Sequence, residues 1–333
     1  MSHANISIFV PHLGCPHRCS FCDQNSITGT DLLPHKSDVD NAVAAAVKSK
    51  KYSSKDTEIA FFGGSFTAIN RDYMIELLES ASVYVKNGTV NGIRISTRPD
   101  SIDQEVLSVL KKYGVTAIEL GAQSMCDDVL KMNYRGHTAD DVKNASFLIK
   151  QMGFSLGLQM MTGLYGSDSQ KDRFTASEII ELKPDTVRIY PAITLDGTVL
   201  AVLFRKGEYN PPSLEESVAL CTDLIRDFEQ ANIKVIRVGL HSINNDSYVA
   251  GPWHPSFKEL CDSKIYLDKI ICLLKTPGEY ILHVAPGEVS KVIGQKKTNL
   301  IKLKEKGYIC RVVENKSVKL FNVLPERMNN SCI

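Results

Sequence analysis

The sequence predicts an α/β fold: a partial (β/α)6 barrel of parallel strands, followed by a small C-terminal α/β module. Three observations predict it. Between residues 6 and 190, six short apolar runs alternate with amphipathic helical stretches, the pattern of a parallel sheet with helices outside. Six units are too few for a closed eight-fold barrel, so the barrel is expected to be splayed. Next, the unusual polar and glycine-rich stretches all follow the apolar runs. By analogy with full barrels, that strand end carries the active site. Finally, the pattern changes after residue 279 to strand, helix, loop, helix, strand.

Taken in order, the predicted strands are Ile6–Val10, Glu58–Phe62, Gly92–Ser96, Ala117–Gly121, Leu156–Met161 and Thr186–Tyr190. Between the first two lies an alanine-rich helix, Val39–Lys48. Ser101-Ile-Asp-Gln104 reads as a capping box, with Ile102, Val106, Leu107 and Leu110 on one face and Gly114 as the stop. Thr138-Ala-Asp-Asp141 opens another helix, with Val142, Ala145, Ile149 and Met152 inward and Gly153 after it. Ser213-Leu-Glu-Glu216 caps a third, and Cys221 on its inward face reads as a core thiol. Lys234–Gly239 is a further strand; His241, Trp253, His254 and Cys261 look like a site, either a second metal centre or a polar lid or substrate wall, with the role of each left open. In the C-terminal module, strands are expected at Glu279–Val284 and Tyr308–Val313. Helices are expected at Pro286–Ile293 and Thr298–Lys306, with a loop at Gly294–Lys297. The expected division is 1–210 for the barrel, 211–278 for an extension or substrate wall, and 279–325 for the module.

Composition excludes little. The chain has 333 residues, a net charge of +1 and ordinary hydrophobic content, so any basic surface is local. No apolar run reaches the roughly 18 residues of a membrane span. The N-terminus lacks a charged-then-apolar export pattern. Nine cysteines in that context read as ligands and core thiols, which points to a reducing, cytoplasmic compartment.

The chemistry-bearing stretch is Cys15-Pro-His-Arg-Cys19-Ser-Phe-Cys22, directly after the first strand. A short loop in C-x3-C-x2-C spacing lets three thiolates converge. Three thiolates on a four-iron cubane leave one iron open to a small molecule. A zinc site with His12 or His17 as the fourth ligand is the alternative at this point. The spacing, with Phe21 in the aromatic place, resembles the radical S-adenosylmethionine (radical SAM) superfamily. The resemblance implies a 4Fe-4S cluster on Cys15, Cys19 and Cys22, with S-adenosylmethionine on the open iron. It also implies a 5′-deoxyadenosyl radical, and an electron donor such as flavodoxin or ferredoxin.

Other stretches extend the resemblance. Gly63-Gly64-Ser65 could be only a tight turn, but after the second strand it resembles the glycine motif that meets the methionine amino group. The resemblance places Ser96 and Arg98, at the end of the third strand, in the same pocket, although Arg98-Pro99 could simply start the following helix and Gln123 could be a satisfied core amide. Gln123 and Arg135, twelve residues apart, are spaced as in oxygen-independent coproporphyrinogen oxidase. There the glutamine touches the ribose and the arginine the methionine carboxylate, which a guanidinium fork suits. Gln159 stands where that family carries a ribose-binding acid. Ser96–Asp100, Glu119–Ser124, Tyr134–Thr138 and Arg188–Pro191 together resemble the radical SAM domain of the Elongator catalytic subunit, which modifies the wobble uridine of tRNA. The acetyltransferase domain of that family is not expected here.

Val289-Ser-Lys-Val-Ile-Gly294, followed by Asn299-Leu-Ile301, resembles a KH domain, whose G-x-x-G loop clamps a single-stranded backbone. The second glycine is Lys297 here. The resemblance implies RNA contacts through Lys291, Lys296 and Lys297, against the simpler reading of a solvated lysine face. The expectation is a radical SAM enzyme acting on RNA, with tRNA as substrate. The alternatives are a radical SAM enzyme on a small molecule and a non-catalytic iron–sulfur RNA-binding redox sensor.

Overall fold

The computed structural model describes residues 4–11, 19–22, 32–240, 243 and 245–328. The first half follows strand–helix alternation. β1 (Ala4–Val10) leads to α1 (Lys36–Val47), β2 (Thr57–Gly63), α2 (Arg71–Lys86), β3 (Gly92–Thr97) and α3 (Gln104–Lys112). Then come β4 (Val115–Gln123), α4 (Asp127–Met132), α5 (Ala139–Gln151), β5 (Ser155–Thr162), α6 (Ser169–Leu182) and β6 (Thr186–Pro191). The remainder of the barrel region holds β7 (Thr194–Leu195), α7 (Val199–Arg205), α8 (Leu214–Gln230), β8 (Lys234–Val238) and β9 (Tyr248–Ala250).

The main sheet runs β1-β2-β3-β4-β5-β6-β8. Pairings from β1 through β6 are parallel. This is the partial barrel expected, with the further strand β8 added beyond the six. The sheet curls. Arg188 on β6 lies 5.4 Å over the ring of Phe62 on β2, four strands away in the sheet. In a flat sheet those strands would stand roughly 19 Å apart. On β1 and β6 one face is apolar, with Ile6, Ile8 and Val10 of β1 and Val187 and Ile189 of β6. The other face lines the concave interior.

Helix starts follow local chemistry. Thr138 and Asp141 form the reciprocal cap expected of α5. At α3 the cap lies two residues later than the sequence suggested. Pro99 opens a short 3-10 turn that takes in Ser101, and Ile102 is extended. The side chain of Asp103 then accepts the Val106 N–H at 2.7 Å.

The chain packs as two compact units. One comprises Met1–Pro212, Asp227–Arg237 and Ser242–Pro252; the other comprises Ser213–Arg226, Val238–His241 and Trp253–Ile333. The second contains α9 (Phe257–Leu273), β10 (Gly278–Val284), α10 (Val289–Ile293), α11 (Thr298–Glu305), β11 (Tyr308–Glu314) and β12 (Val323–Arg327). Its sheet runs β11-β10-β12, with β10 parallel to β11 and antiparallel to β12. Its core joins Tyr266 and Ile270 of α9 to Leu282, Val292 and Leu303. β12 was not legible because Pro325 interrupts it; an edge position tolerates the missing N–H. No described helix is long and apolar enough to cross a membrane.

Candidate active site

The site is assembled at the C-terminal ends of β1 to β4. Gly63 closes β2 at φ +120°, and a Cβ there would lie 2.2 Å from the Val10 carbonyl oxygen. Only glycine allows this approach. The Gly64 N–H donates to that same carbonyl at 3.1 Å, fixing the end of β1 from which the cysteine loop departs. Ser65 is buried; its hydroxyl contacts Thr97 Oγ1 at 2.8 Å and accepts the Arg98 N–H at 3.2 Å. The ends of β2 and β3 are thereby tied together.

Within the cysteine loop, Cys19 is buried and the Cys22 N–H donates to its carbonyl at 3.1 Å. Ser20 donates through both N–H and hydroxyl to Asn133, at 3.1 and 2.6 Å. Phe21 packs against Val129, Leu164 and Ala192, so the aromatic position anchors the loop. Cys15 lies outside the described residues. Among the described residues, no three His, Cys, Asp or Glu side chains are grouped to hold a metal ion. None of the seven described cysteines is in a disulfide.

Gln123 and Arg135 converge. β4 is irregular between Gly121 and Gln123, and Gln123 has φ +66°. Both side chains crowd the bare Cα of Gly121, where a Cβ would meet Gln123 Nε2 at 2.9 Å and Arg135 Nη2 at 3.3 Å. Arg135 is buried; its Nη2 donates to the Gly121 carbonyl at 2.6 Å and its Nη1 to Cys19 Sγ at 3.2 Å. Arg98 makes different contacts. Its guanidinium forks onto Asp100 at 2.9 and 2.7 Å, and Nη2 also donates to the Arg135 carbonyl at 2.6 Å. It thus holds the Arg135 loop. His137 sits beside them, its pKa lowered to about 4 by burial, with the Arg135 charge adding to the effect. It is neutral at physiological pH and brings no further positive charge to the arginines.

Four buried polar atoms here have no hydrogen-bond partner among the described residues: Ser96 Oγ, Gln123 Oε1, Arg135 Nε and His137 Nδ1. Buried polar groups are normally paired, because leaving one unpaired costs about 1–3 kcal/mol. A thiol, a guanidinium, an amide and a hydroxyl around one strand end therefore fit a polar ligand with its own donors and acceptors. Gln159 is half-buried on β5, in register with Gly121 on β4 and Arg188 on β6.

Sequence reasoning gave no role to a charged layer beneath this site. Glu119, 1% exposed, pairs with Arg94 at 3.1 Å and with Arg188 at 2.7 Å. Arg94 also pairs with Glu58 at 2.9 Å. Gly157 lies between β4 and β6; a Cβ there would meet Glu119 Cγ at 2.9 Å, so its bare Cα opens the path to Arg188. The signal in the sequence was a charged residue inside four of the apolar strands: Glu58, Arg94, Glu119 and Arg188.

In the second unit, Lys296 and Lys297 are exposed and both have positive φ, 52° and 62°. They border a cavity of about 350 Å3 lined also by Ser256, Ser263, Ser290 and Gly294. Lys291 lines it too, but its ammonium is held by Glu288 at 2.8 Å, with Asp262 at 3.9 Å.

A parallel half-barrel with a cysteine loop after its first strand and a polar pocket at that strand end defines a class of enzyme. The profile of the Radical SAM superfamily matches residues 9–174, and that of the Radical_SAM C-terminal domain matches residues 184–266. The chain belongs to the radical SAM superfamily; its cofactors are a 4Fe-4S cluster and S-adenosylmethionine. It is 36% identical over 129 residues to the tRNA uridine(34) acetyltransferase of Methanocaldococcus jannaschii, covering 38% of this chain and 24% of that protein. It is 32% identical over 202 residues to Elongator complex protein 3 of Homo sapiens, covering 54% of this chain and 37% of that protein. The chain therefore spans well under half the length of these curated relatives. The solved Elp3 of Methanocaldococcus infernus shares its fold, with a TM-score of 0.66 at 21% identity over 81% of this chain and 64% of that one.

Proposed function

We propose that this radical SAM enzyme modifies a nucleoside of RNA, with tRNA as the substrate. The observation that carries the reading is the convergence of Cys19, Arg135 and Gln123 on one strand end, with buried polar atoms left for a ligand. The curated relatives named for tRNA uridine chemistry support the choice of RNA.

When bound, the cluster and S-adenosylmethionine supply one-electron cleavage of a sulfonium and hydrogen-atom abstraction from the substrate. Cys15, Cys19 and Cys22 would hold the cluster. Arg135 would bind the methionine carboxylate, and its bond to Cys19 would hold the guanidinium beside the cluster cysteines. Gln123 and Gln159 would face the ribose, and Ser96 would offer its hydroxyl. The bare backbone of Gly63 and Gly64, with Ser65 behind it, would approach the amino group. Arg98, bound to Asp100, would keep Arg135 in place. A flavodoxin or ferredoxin in a reducing cytoplasm is the electron donor in this reading.

Arg135→Ala is expected to weaken S-adenosylmethionine binding by roughly 10- to 100-fold, the worth of one charge-assisted hydrogen bond. Equilibrium binding to the anaerobically reconstituted protein measures it, and unchanged affinity removes Arg135 from the pocket. Lysine loop residues Lys296 and Lys297 would grip phosphate, while Lys291 would serve the module's internal ion pairs. Lys296→Glu with Lys297→Glu is expected to weaken tRNA binding about tenfold or more at near-physiological salt, because two phosphate-binding cations become anions. Equal affinity would end the gripping role. For the function itself, nucleosides of tRNA from cells with and without the gene are compared by mass spectrometry. A nucleoside that depends on the gene, and forms again when purified protein acts on the deficient tRNA, supports the reading. Identical nucleoside inventories reject it.

A further inference from the structure

On the concave face of the sheet, β1 presents a residue that no part of the reading above uses. Ile6, Ile8 and Val10 point into the apolar layer, so Phe9 points the other way and is 45% exposed. Phe9 is the register partner of Phe62 on β2. Adjacent strands bring such side chains within about 5 Å at Cβ, so the two rings are neighbours on one face. Arg188 lies over the Phe62 ring at 5.4 Å. Glu119 fixes that guanidinium from one side, through Nε at 2.7 Å and Nη2 at 2.9 Å. The planar fork then turns Nη1 away from Glu119. Tyr190 hydrogen-bonds Arg188 from the same strand. Each phenylalanine also adjoins the candidate active site: Val10 and Gly63, the next residues, form the close approach at the glycine turn.

A large aromatic face left half open inside a concave, otherwise charged interior contributes little to the core. Its chemistry suits a flat π-system, which stacks on phenylalanine irrespective of hydrogen-bonding edge. A ring stacked on Phe9 would have its edge beside the Arg188 guanidinium, whose donors complement ring carbonyl oxygens. Uracil has two such oxygens, whereas cytosine presents an amino donor at one of those positions. The geometry points to Phe9 and Phe62 as a stacking shelf for an unpaired pyrimidine base of the RNA substrate, with Arg188 selecting a carbonyl-bearing edge. This inference rests on the RNA reading of the preceding section.

The test uses the full chain, reconstituted with its cluster, and three octamer RNAs of equal charge: all uridine, all cytidine and all abasic. Equal charge removes the phosphate contribution from the comparison. The wild-type protein is expected to prefer uridine over abasic RNA by about tenfold, the scale of base–aromatic stacking, with cytidine between them. Phe9→Leu, which keeps an apolar side chain of similar bulk, is expected to bring the uridine preference close to one. Phe9→Tyr is expected to retain it. Iron content per chain checks that each variant is folded. A uridine preference that persists undiminished in Phe9→Leu, or equal binding of uridine and abasic octamers by the wild type, overturns the shelf alone. Failure of the wild type to bind either octamer or tRNA overturns the RNA reading and the shelf with it.

Discussion

Cys19→Ala is expected to abolish the brown iron–sulfur chromophore and, with it, all cleavage of S-adenosylmethionine. Cys19 is buried, and the guanidinium of Arg135 donates to its sulfur at 3.2 Å. That contact sets a guanidinium directly beside the sulfur of the motif. The core cysteines differ. Burial pushes the thiol of Cys261 up to about 12, so it stays protonated at neutral pH and is a poor ligand. Cys221, wholly buried on α8, packs as an apolar side chain. Iron and sulfide per chain are measured after anaerobic reconstitution. Cys15→Ala and Cys22→Ala are expected to behave like Cys19→Ala, whereas Cys221→Ala is expected to keep its iron. Full iron in Cys19→Ala would place the cluster on another cysteine set. Zinc, without sulfide, in the wild type would favour the four-ligand alternative instead.

Glu119→Ala is expected to destabilise the barrel by about 3–5 kcal/mol, the usual cost of leaving a buried charge without its partner. Glu119 is the shared anion between Arg94 and Arg188. Removing it leaves Arg94 with Glu58, whereas Arg188 loses its ion-pair partner in this layer. A domain's whole stability is about 5–15 kcal/mol, so the loss would be a large part of it. Glu119→Gln keeps the shape and part of the hydrogen bonding, and its loss is expected to be smaller. Denaturant unfolding monitored by circular dichroism gives the difference from the shift in midpoint at constant slope. A loss below about 1 kcal/mol for Glu119→Ala, the range of exposed pairs, would show that the layer is solvated.

The sequence by itself determined the strands of the barrel, the cap of α5 and the spacing of the cysteine motif. Each is set within a few residues: an apolar run bounded by glycine, Thr138 three residues before Asp141, three cysteines in one short loop. Even locally, a competing signal can win, as when the turn begun by Pro99 moved the cap of α3 from Ser101 to Asp103. The edge strand β12 depends on its partner, because Val323–Arg327 carries a proline and is held by pairing with β10. Only the tertiary structure decided that Arg135 touches Cys19 across a separation of 116 residues, that Arg98 turns to Asp100, and that Lys291 is engaged by Glu288. It alone joined Glu119 to Arg188 and brought Arg188 over Phe62. The physical reason is that such meetings follow from strand register and sheet curl. Those are properties of seven strands packed together, and no single stretch of the chain encodes them.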